Sequence, residues 1–101
     1  MDIHTKRIAP QVALIRLSGK FNIEYVANFE EAVMGEIDGD ASTIALDMAE
    51  LKYIDSSGIG SLIKAMNIAK NKSIDFTLLD IHPDVMAIFK IAFLDKFFNI
   101  Q

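Results

Sequence analysis

Apolar residues recur with two different periods along this chain, and the two periods alternate. Segments rich in Val, Ile and Leu, or with apolar residues at every second position, are typical of strands, whereas apolar residues every three to four positions are typical of helices. The predicted order is β-β-α-β-α-β-α. Strands that alternate with helices indicate crossover units, so we expect an α/β fold with a single-layer, mixed, mostly parallel sheet of about four to five strands packed with α-helices.

The first two predicted strands differ in their expected burial. Ile3–Ala9 is only weakly strand-like, whereas Val12–Leu17 has apolar residues on both faces, as a central strand does. The turn around Pro10 is so short that these strands must pair antiparallel if they pair at all. Gly19 is predicted to end the second strand.

Two further strands follow. Thr43–Met48 alternates apolar and other residues, and Leu51–Ile54 is predicted to continue it after a bend. Phe76–Ile81 is the last predicted strand, and Leu94–Ile100 forms a short amphipathic tail.

Three helices are expected between and after these strands. The first spans Ile23–Ile37 behind an N-cap at Asn22, the second runs from Ser57 to about Lys70, and the third begins at Pro83. The apolar faces predicted to be buried are Val26, Phe29, Val33 and Ile37 in the first helix, Ile59, Leu62, Ile63 and Met66 in the second, and Val85, Met86, Phe89 and Ala92 in the third.

Charge and residue usage exclude several classes of function. Fourteen acidic residues against ten basic ones give a net charge of −4, and no Lys/Arg cluster exceeds Lys6-Arg7, so we expect no direct binding to nucleic acid. The chain has no cysteine, which excludes disulfides and thiolate metal sites.

The length of 101 residues corresponds to a single domain over residues 1–101. The longest apolar run, Val85–Phe89, is far shorter than the roughly 18 residues of a membrane span. The beginning of the chain has no apolar signal-peptide core, so the expected location is cytoplasmic.

Two polar turns follow predicted parallel strands. One is Gly19-Lys20-Phe21-Asn22, and the other runs from Asp55 to Gly60 at the start of the second helix. Because the carboxyl ends of parallel strands meet at one edge of a sheet, we expect both turns to lie together. A serine at a helix N-terminus faces unpaired N–H groups, which would accept a phosphate well, and Gly58 and Gly60 leave room for close approach of backbone or of a partner.

A purely structural interpretation of the same turn stays open. Asp55 or Ser56 could serve only as the helix cap, with the glycines allowing close packing on the sheet. A nucleotide site is disfavoured because the third glycine of the dinucleotide fingerprint is missing. A hydrolase nucleophile is disfavoured because the Gly-x-Ser-x-Gly elbow is missing. His4, expected on an edge strand, and His82, expected at a helix start, lack metal-ligand spacing.

These segments resemble a known family. Leu46-Asp47-Met48 followed by Tyr53-Ile54-Asp55-Ser56-Ser57-Gly58-Ile59-Gly60 is similar to the signature of STAS domains, in particular bacterial anti-sigma factor antagonists. Leu17-Ser18-Gly19-Lys20-Phe21-Asn22 resembles the family's first turn, and the segment from Pro83 to Phe97 resembles its C-terminal helices.

The resemblance implies a regulatory protein rather than an enzyme, with no catalytic residue, metal or cofactor. In such a system the unmodified antagonist binds an anti-sigma factor that is also an ATP-dependent serine kinase, which frees a sigma factor. The kinase then phosphorylates the serine that follows the aspartate, here Ser56, and a phosphatase resets the switch. The resemblance assigns a supporting or partner-binding role to Asn22, Asp55, Ser57, Gly58 and Gly60.

Two departures and one alternative accompany this assignment. The family's first turn commonly ends in Asp, where this chain has Asn22, and family members often continue into a further helix beyond the last strand. Some STAS domains are not phosphorylated. The alternative function is therefore a scaffold or regulatory subunit of a signalling or lipid-transport complex.

Overall fold

Five strands form one sheet, ordered as they occur along the chain. The computed structural model describes residues 1–101. The strands are β1 (Asp2–Ala9), β2 (Val12–Phe21), β3 (Thr43–Ile54), β4 (Asp75–Leu79) and β5 (Asn99–Ile100). β1 pairs antiparallel with β2, and every later pair is parallel. The mixed, mostly parallel sheet and its antiparallel first pair are therefore confirmed.

Three helices connect the strands in the predicted order. They are α1 (Val26–Asp38), α2 (Ser56–Asn71) and α3 (Pro83–Ile91). A short 3-10 helix, Ile23–Tyr25, precedes α1, so the first predicted helix begins with a tighter turn than expected. α1 packs beside α2, α2 contacts β3 and β4, and α3 contacts β3. None of the helices combines the length and the apolar character that crossing a membrane requires.

The prediction that the second strand ends at Gly19 is wrong. β2 continues to Phe21, because Gly19 adopts a φ of 100°, a left-handed conformation that costs glycine little and lets the strand change direction without stopping. The pairing with β3 shifts register directly after Gly19 and resumes at Lys20 opposite Tyr53. This extension carries β2 to the same edge of the sheet as the end of β3.

The predicted continuation of the third strand is confirmed. β3 runs unbroken to Ile54. At two places β3 has one residue more than β2, as in a β-bulge. The first lies between the pairs Arg16–Asp47 and Ser18–Glu50, and the second lies directly after Leu51. β4 pairs with β3 only as far as Asp47 of β3. The last part of β3 therefore extends beyond β4 with β2 as its only partner strand.

The buried face of α2 differs from the predicted stripe. Leu62 is fully buried, whereas Ile59, Ile63 and Met66 are only partly buried and flank the contact. Most of the buried positions on α2 carry small residues, and at Gly58 a Cβ would lie 2.7 Å from Ile54 Cγ1, so α2 comes very close to the sheet there. The buried residues of α2 are Gly58, Ser61, Leu62, Ala65 and Ala69.

The last third of the chain also differs in detail. β4 ends at Leu79 rather than at Ile81, because Asp80 takes a left-handed φ of 53°. Ala92 is exposed since α3 ends one residue before it. The tail contains a short strand, β5, that was not predicted from the sequence. Directly before it Phe98 is buried, with its ring centroid 5.4 Å from that of Phe89.

The burial of Leu62 leads to a stability prediction. Leu62→Ala should lower the free energy of unfolding by about 2–5 kcal/mol, because truncation of a fully buried leucine loses apolar contact and leaves a cavity. Asn67→Ala, an exposed position on the same helix, is the matched control and should change it by less than about 0.5 kcal/mol. Urea denaturation measures both, and equal effects would contradict the burial of this face.

Candidate functional site

The carboxyl ends of β2 and β3 meet at one edge of the sheet. Phe21, the last residue of β2, pairs with Ile54, the last residue of β3. Beyond this pair the backbone N–H of Asp55 donates to the carbonyl oxygen of Phe21 over 3.2 Å. Asn22 and Asp55 are therefore the first residues past two adjacent parallel strands, and the two polar turns lie together as expected.

Asp55 is the N-cap of α2. Its carboxylate accepts a hydrogen bond from the backbone N–H of Gly58 over 3.0 Å, and its carbonyl accepts from Ile59 over 2.9 Å. This settles the choice between Asp55 and Ser56 as the cap. The N–H groups of Ser56 and Ser57 come before the first helical hydrogen bond and have no partner within α2, so they form the positive end of a 16-residue helix.

The three serines at the start of α2 differ sharply in accessibility. Ser56 is exposed, Ser57 is partly buried, and Ser61 is only 4% exposed. The hydroxyl of Ser61 is enclosed and has no hydrogen-bond partner. Of these three serines, Ser56 is the most exposed and therefore the most accessible to a large partner.

Asn22 organises the neighbouring turn. Its side-chain oxygen accepts a hydrogen bond from the backbone N–H of Glu24 over 2.9 Å and so caps the 3-10 helix Ile23–Tyr25. That short helix packs against α2. The predicted capping role of Asn22 is confirmed, although the helix that it caps is the 3-10 turn. An aspartate could make the same cap, since both side chains present an acceptor oxygen.

The two glycines of the turn have different structural environments. A Cβ at Gly58 would lie 2.7 Å from Ile54 Cγ1 and 2.9 Å from the carbonyl oxygen of Phe21. Gly58 is therefore required for α2 to approach the sheet edge. Gly60 is exposed, and a Cβ built there would meet nothing within 4 Å, so the fold itself does not need a glycine at that position.

The histidines lie outside this cluster. His4 is exposed on the edge strand β1, and His82 caps α3, with its Nδ1 accepting from the N–H of Asp84 over 3.1 Å. The structure contains no group of three or more His, Asp or Glu side chains placed to hold a metal ion. Ser56 makes no hydrogen bond to a side chain that could act as a base, so what the turn offers is an exposed hydroxyl at a helix N-terminus.

A family model for the STAS domain matches residues 4–101, which include this whole site. The chain belongs to the STAS domain family. The signature around Asp55 and Ser56 was therefore interpreted correctly from the sequence. The strand, turn and helix that carry this signature are the elements that bring the candidate site residues together.

Solved anti-sigma factor antagonists share the fold of this STAS domain. SpoIIAA in its unphosphorylated form superposes with a TM-score of 0.83 at 21% identity, covering 99% of this chain and 88% of that one. The phosphorylated form of Bacillus SpoIIAA gives 0.77 at 20% identity, covering 99% and 91%. An anti-sigma factor antagonist from Mycobacterium paratuberculosis gives 0.81 at 17% identity, covering 98% and 85%. At these identities the likeness establishes the fold.

The different environments of the two glycines can be tested by alanine substitution. Gly58→Ala should destabilise the domain by about 1–3 kcal/mol, because the new methyl group meets a backbone carbonyl that cannot easily move. Gly60→Ala should stabilise it by about 0.5–1 kcal/mol, because alanine loses less backbone entropy than glycine in a helix and space is free. Thermal and urea unfolding of both variants measures the two effects. Changes of the same sign would refute the assigned packing.

Proposed function

We propose that this STAS domain is an anti-sigma factor antagonist that is switched by phosphorylation of Ser56. In its unmodified form it binds an anti-sigma factor that is also a serine kinase, and a sigma factor is freed. The observation that carries the proposal is the exposed Ser56 hydroxyl at the uncovered N-terminus of α2. The shared fold with SpoIIAA, solved in both phosphorylation states, supports it.

The covalent step is a phosphoryl transfer from ATP. Ser56 Oγ attacks the γ-phosphorus of ATP, the bond to the β-phosphate oxygen breaks, ADP leaves, and the hydroxyl proton passes to the kinase or to solvent. A phosphatase reverses the state of the switch by hydrolysing the phosphoserine to serine and inorganic phosphate. In both steps the antagonist contributes the accessible hydroxyl, and the other protein contributes the catalysis.

The site favours release of the partner by local charge. A phosphate on Ser56 adds about 1.5–2 negative charges next to the free N–H groups of Ser56 and Ser57, where the helix dipole stabilises it. The free domain therefore has little reason to rearrange. A partner pressed onto the turn must instead desolvate that charge close to the carboxylate of Asp55, which raises the free energy of the complex.

The first prediction of the proposed function is that Ser56 is the residue that accepts the phosphate. Incubation with ATP and the kinase-type anti-sigma factor of the same genome should place one phosphate on Ser56, as located by mass spectrometry. Ser56→Ala should abolish the modification, while Ser57→Ala should retain it, because Ser57 is partly buried. A phosphate on Ser57 would contradict the acceptor assignment. A chain that takes up no phosphate would favour the scaffold function of other STAS domains.

The mode of release is the second prediction. Calorimetric titration with the same anti-sigma factor should show that Ser56→Ala binds as tightly as the unmodified chain. Phosphorylation should weaken binding by about two orders of magnitude, equivalent to a few kcal/mol. Ser56→Asp should lie between them, since aspartate carries less charge than phosphoserine.

Amide NMR spectra of the free domain test whether the effect is local. Shifts on phosphorylation should be confined to the turns around Asn22 and Ser56. Shifts that spread across the whole sheet would identify a conformational switch instead, and equal affinities for all forms would remove phosphorylation from the mechanism.

A further inference from the structure

Gly60 lowers the stability of α2 relative to alanine, and the fold does not explain why a glycine stands there. It lies in the first turns of α2, where glycine is less favourable than alanine because it has more backbone freedom to lose. No atom lies within 4 Å of the position that its Cβ would occupy, in contrast to Gly58, which is packed against Phe21 and Ile54. The packing within this chain therefore does not require a glycine here.

Ile23 is a second unexplained feature, and it is independent of the first. Its side chain is 69% exposed, and it is not packed against the hydrophobic core, unlike Tyr25 in the same 3-10 helix. A single exposed apolar side chain is common on protein surfaces. Ile23 differs from such a residue in its location, because it follows Asn22 directly and belongs to the 3-10 helix that packs against α2, the helix that carries Ser56.

Both features lie at the same end of α2, and at the same edge of the sheet, as Ser56. Ser56 and Gly60 are four residues apart on one helix and so lie one above the other on the same face. Ile23 and Ser56 each follow closely on the paired strand ends Phe21 and Ile54. We define Ile23, Ser56 and Gly60 as the switch patch.

We propose that Ile23 and Gly60 are contact positions for the anti-sigma factor kinase: Ile23 enters an apolar depression of the kinase, and Gly60 lets the kinase surface approach the backbone of α2. This inference rests on the proposed function. A kinase that transfers phosphate to Ser56 must cover that hydroxyl. It therefore also covers Gly60, one helical turn along α2, and Ile23, which follows the adjacent strand β2. Glu24 and Asp55 are the sequence neighbours of Ile23 and Ser56, and Lys64, one turn beyond Gly60, is paired with Glu30 over 3.3 Å. The unpaired charge beside Ile23 and Ser56 is therefore acidic, which a kinase surface with a basic rim complements and an anionic membrane does not.

Leucine substitution tests the role of Gly60. Gly60→Leu adds a side chain that a helix accommodates well, so the denaturation midpoint should stay at or above that of the unmodified chain. Its affinity for the anti-sigma factor kinase should fall at least about tenfold, because the added side chain separates the two surfaces. Gly35→Leu is the matched control, since Gly35 is an exposed glycine of α1 that also has nothing within 4 Å of its Cβ position.

Serine substitution tests the role of Ile23. Ile23→Ser should lower the affinity by about tenfold while leaving the denaturation midpoint unchanged, because the side chain is already in water in the free domain. Ile91→Ser is the matched control. Ile91 is 80% exposed at the end of α3, and α3 runs from the carboxyl end of β4 back toward the start of β5, so this residue lies at the opposite edge of the sheet.

Calorimetric titration of the four variants and the unmodified chain with the same kinase tests whether Ile23 and Gly60 contact the kinase. Loss of affinity in Gly60→Leu and Ile23→Ser, with both controls unchanged, supports the switch patch. Tight binding by the unmodified chain together with equal binding by these two variants would overturn the patch and leave the proposed function intact. A similar loss in the controls would also overturn it. Absence of binding by the unmodified chain would overturn the proposed function and this inference with it.

Discussion

The contact between the end of β2 and the start of α2 determines the geometry of everything around Ser56. The carbonyl of Phe21 receives the N–H of Asp55, and Gly58 lies so close to the same residue that a methyl group would not fit. These two contacts fix where α2 begins relative to the sheet. Because the helix start is fixed, Asp55 is placed to cap it, and the hydroxyl of the next residue points away from the packed interior.

The same contact separates two kinds of residue within one short motif. Asp55 and Gly58 hold the turn together, and Asn22 does the same for the adjacent 3-10 helix. Ser56 and Gly60 take no part in this scaffold, although they alternate with the scaffold residues along the chain. A motif of six residues thus contains a rigid support and an accessible surface, which the helical period places on opposite sides of α2.

The sequence predicted the elements of the fold and the meeting of the two turns, because these depend on period and on the direction of parallel strands. It failed where tertiary distance decides the outcome. In the predicted apolar stripe of α2, Leu62 is fully buried and Ile59, Ile63 and Met66 are partly buried against the core, but the prediction missed the small residues that are buried beside Leu62. The helical period does not reveal how closely a helix approaches its sheet. The passage of β2 through Gly19 and the short strand β5 were missed for a related reason. A local turn signal does not tell whether a neighbouring strand continues to offer hydrogen bonds.

The exposure of Ser56 has a consequence for how such domains diversify. A side chain that supports no part of the core can be exchanged without loss of folding, so mutation can remove or restore the proposed phosphoacceptor in a single step. Selection on signalling and selection on stability then act on different residues of the same turn. Under the proposed function, a lineage built on this scaffold can pass between switched and permanently active members while its structural framework stays the same.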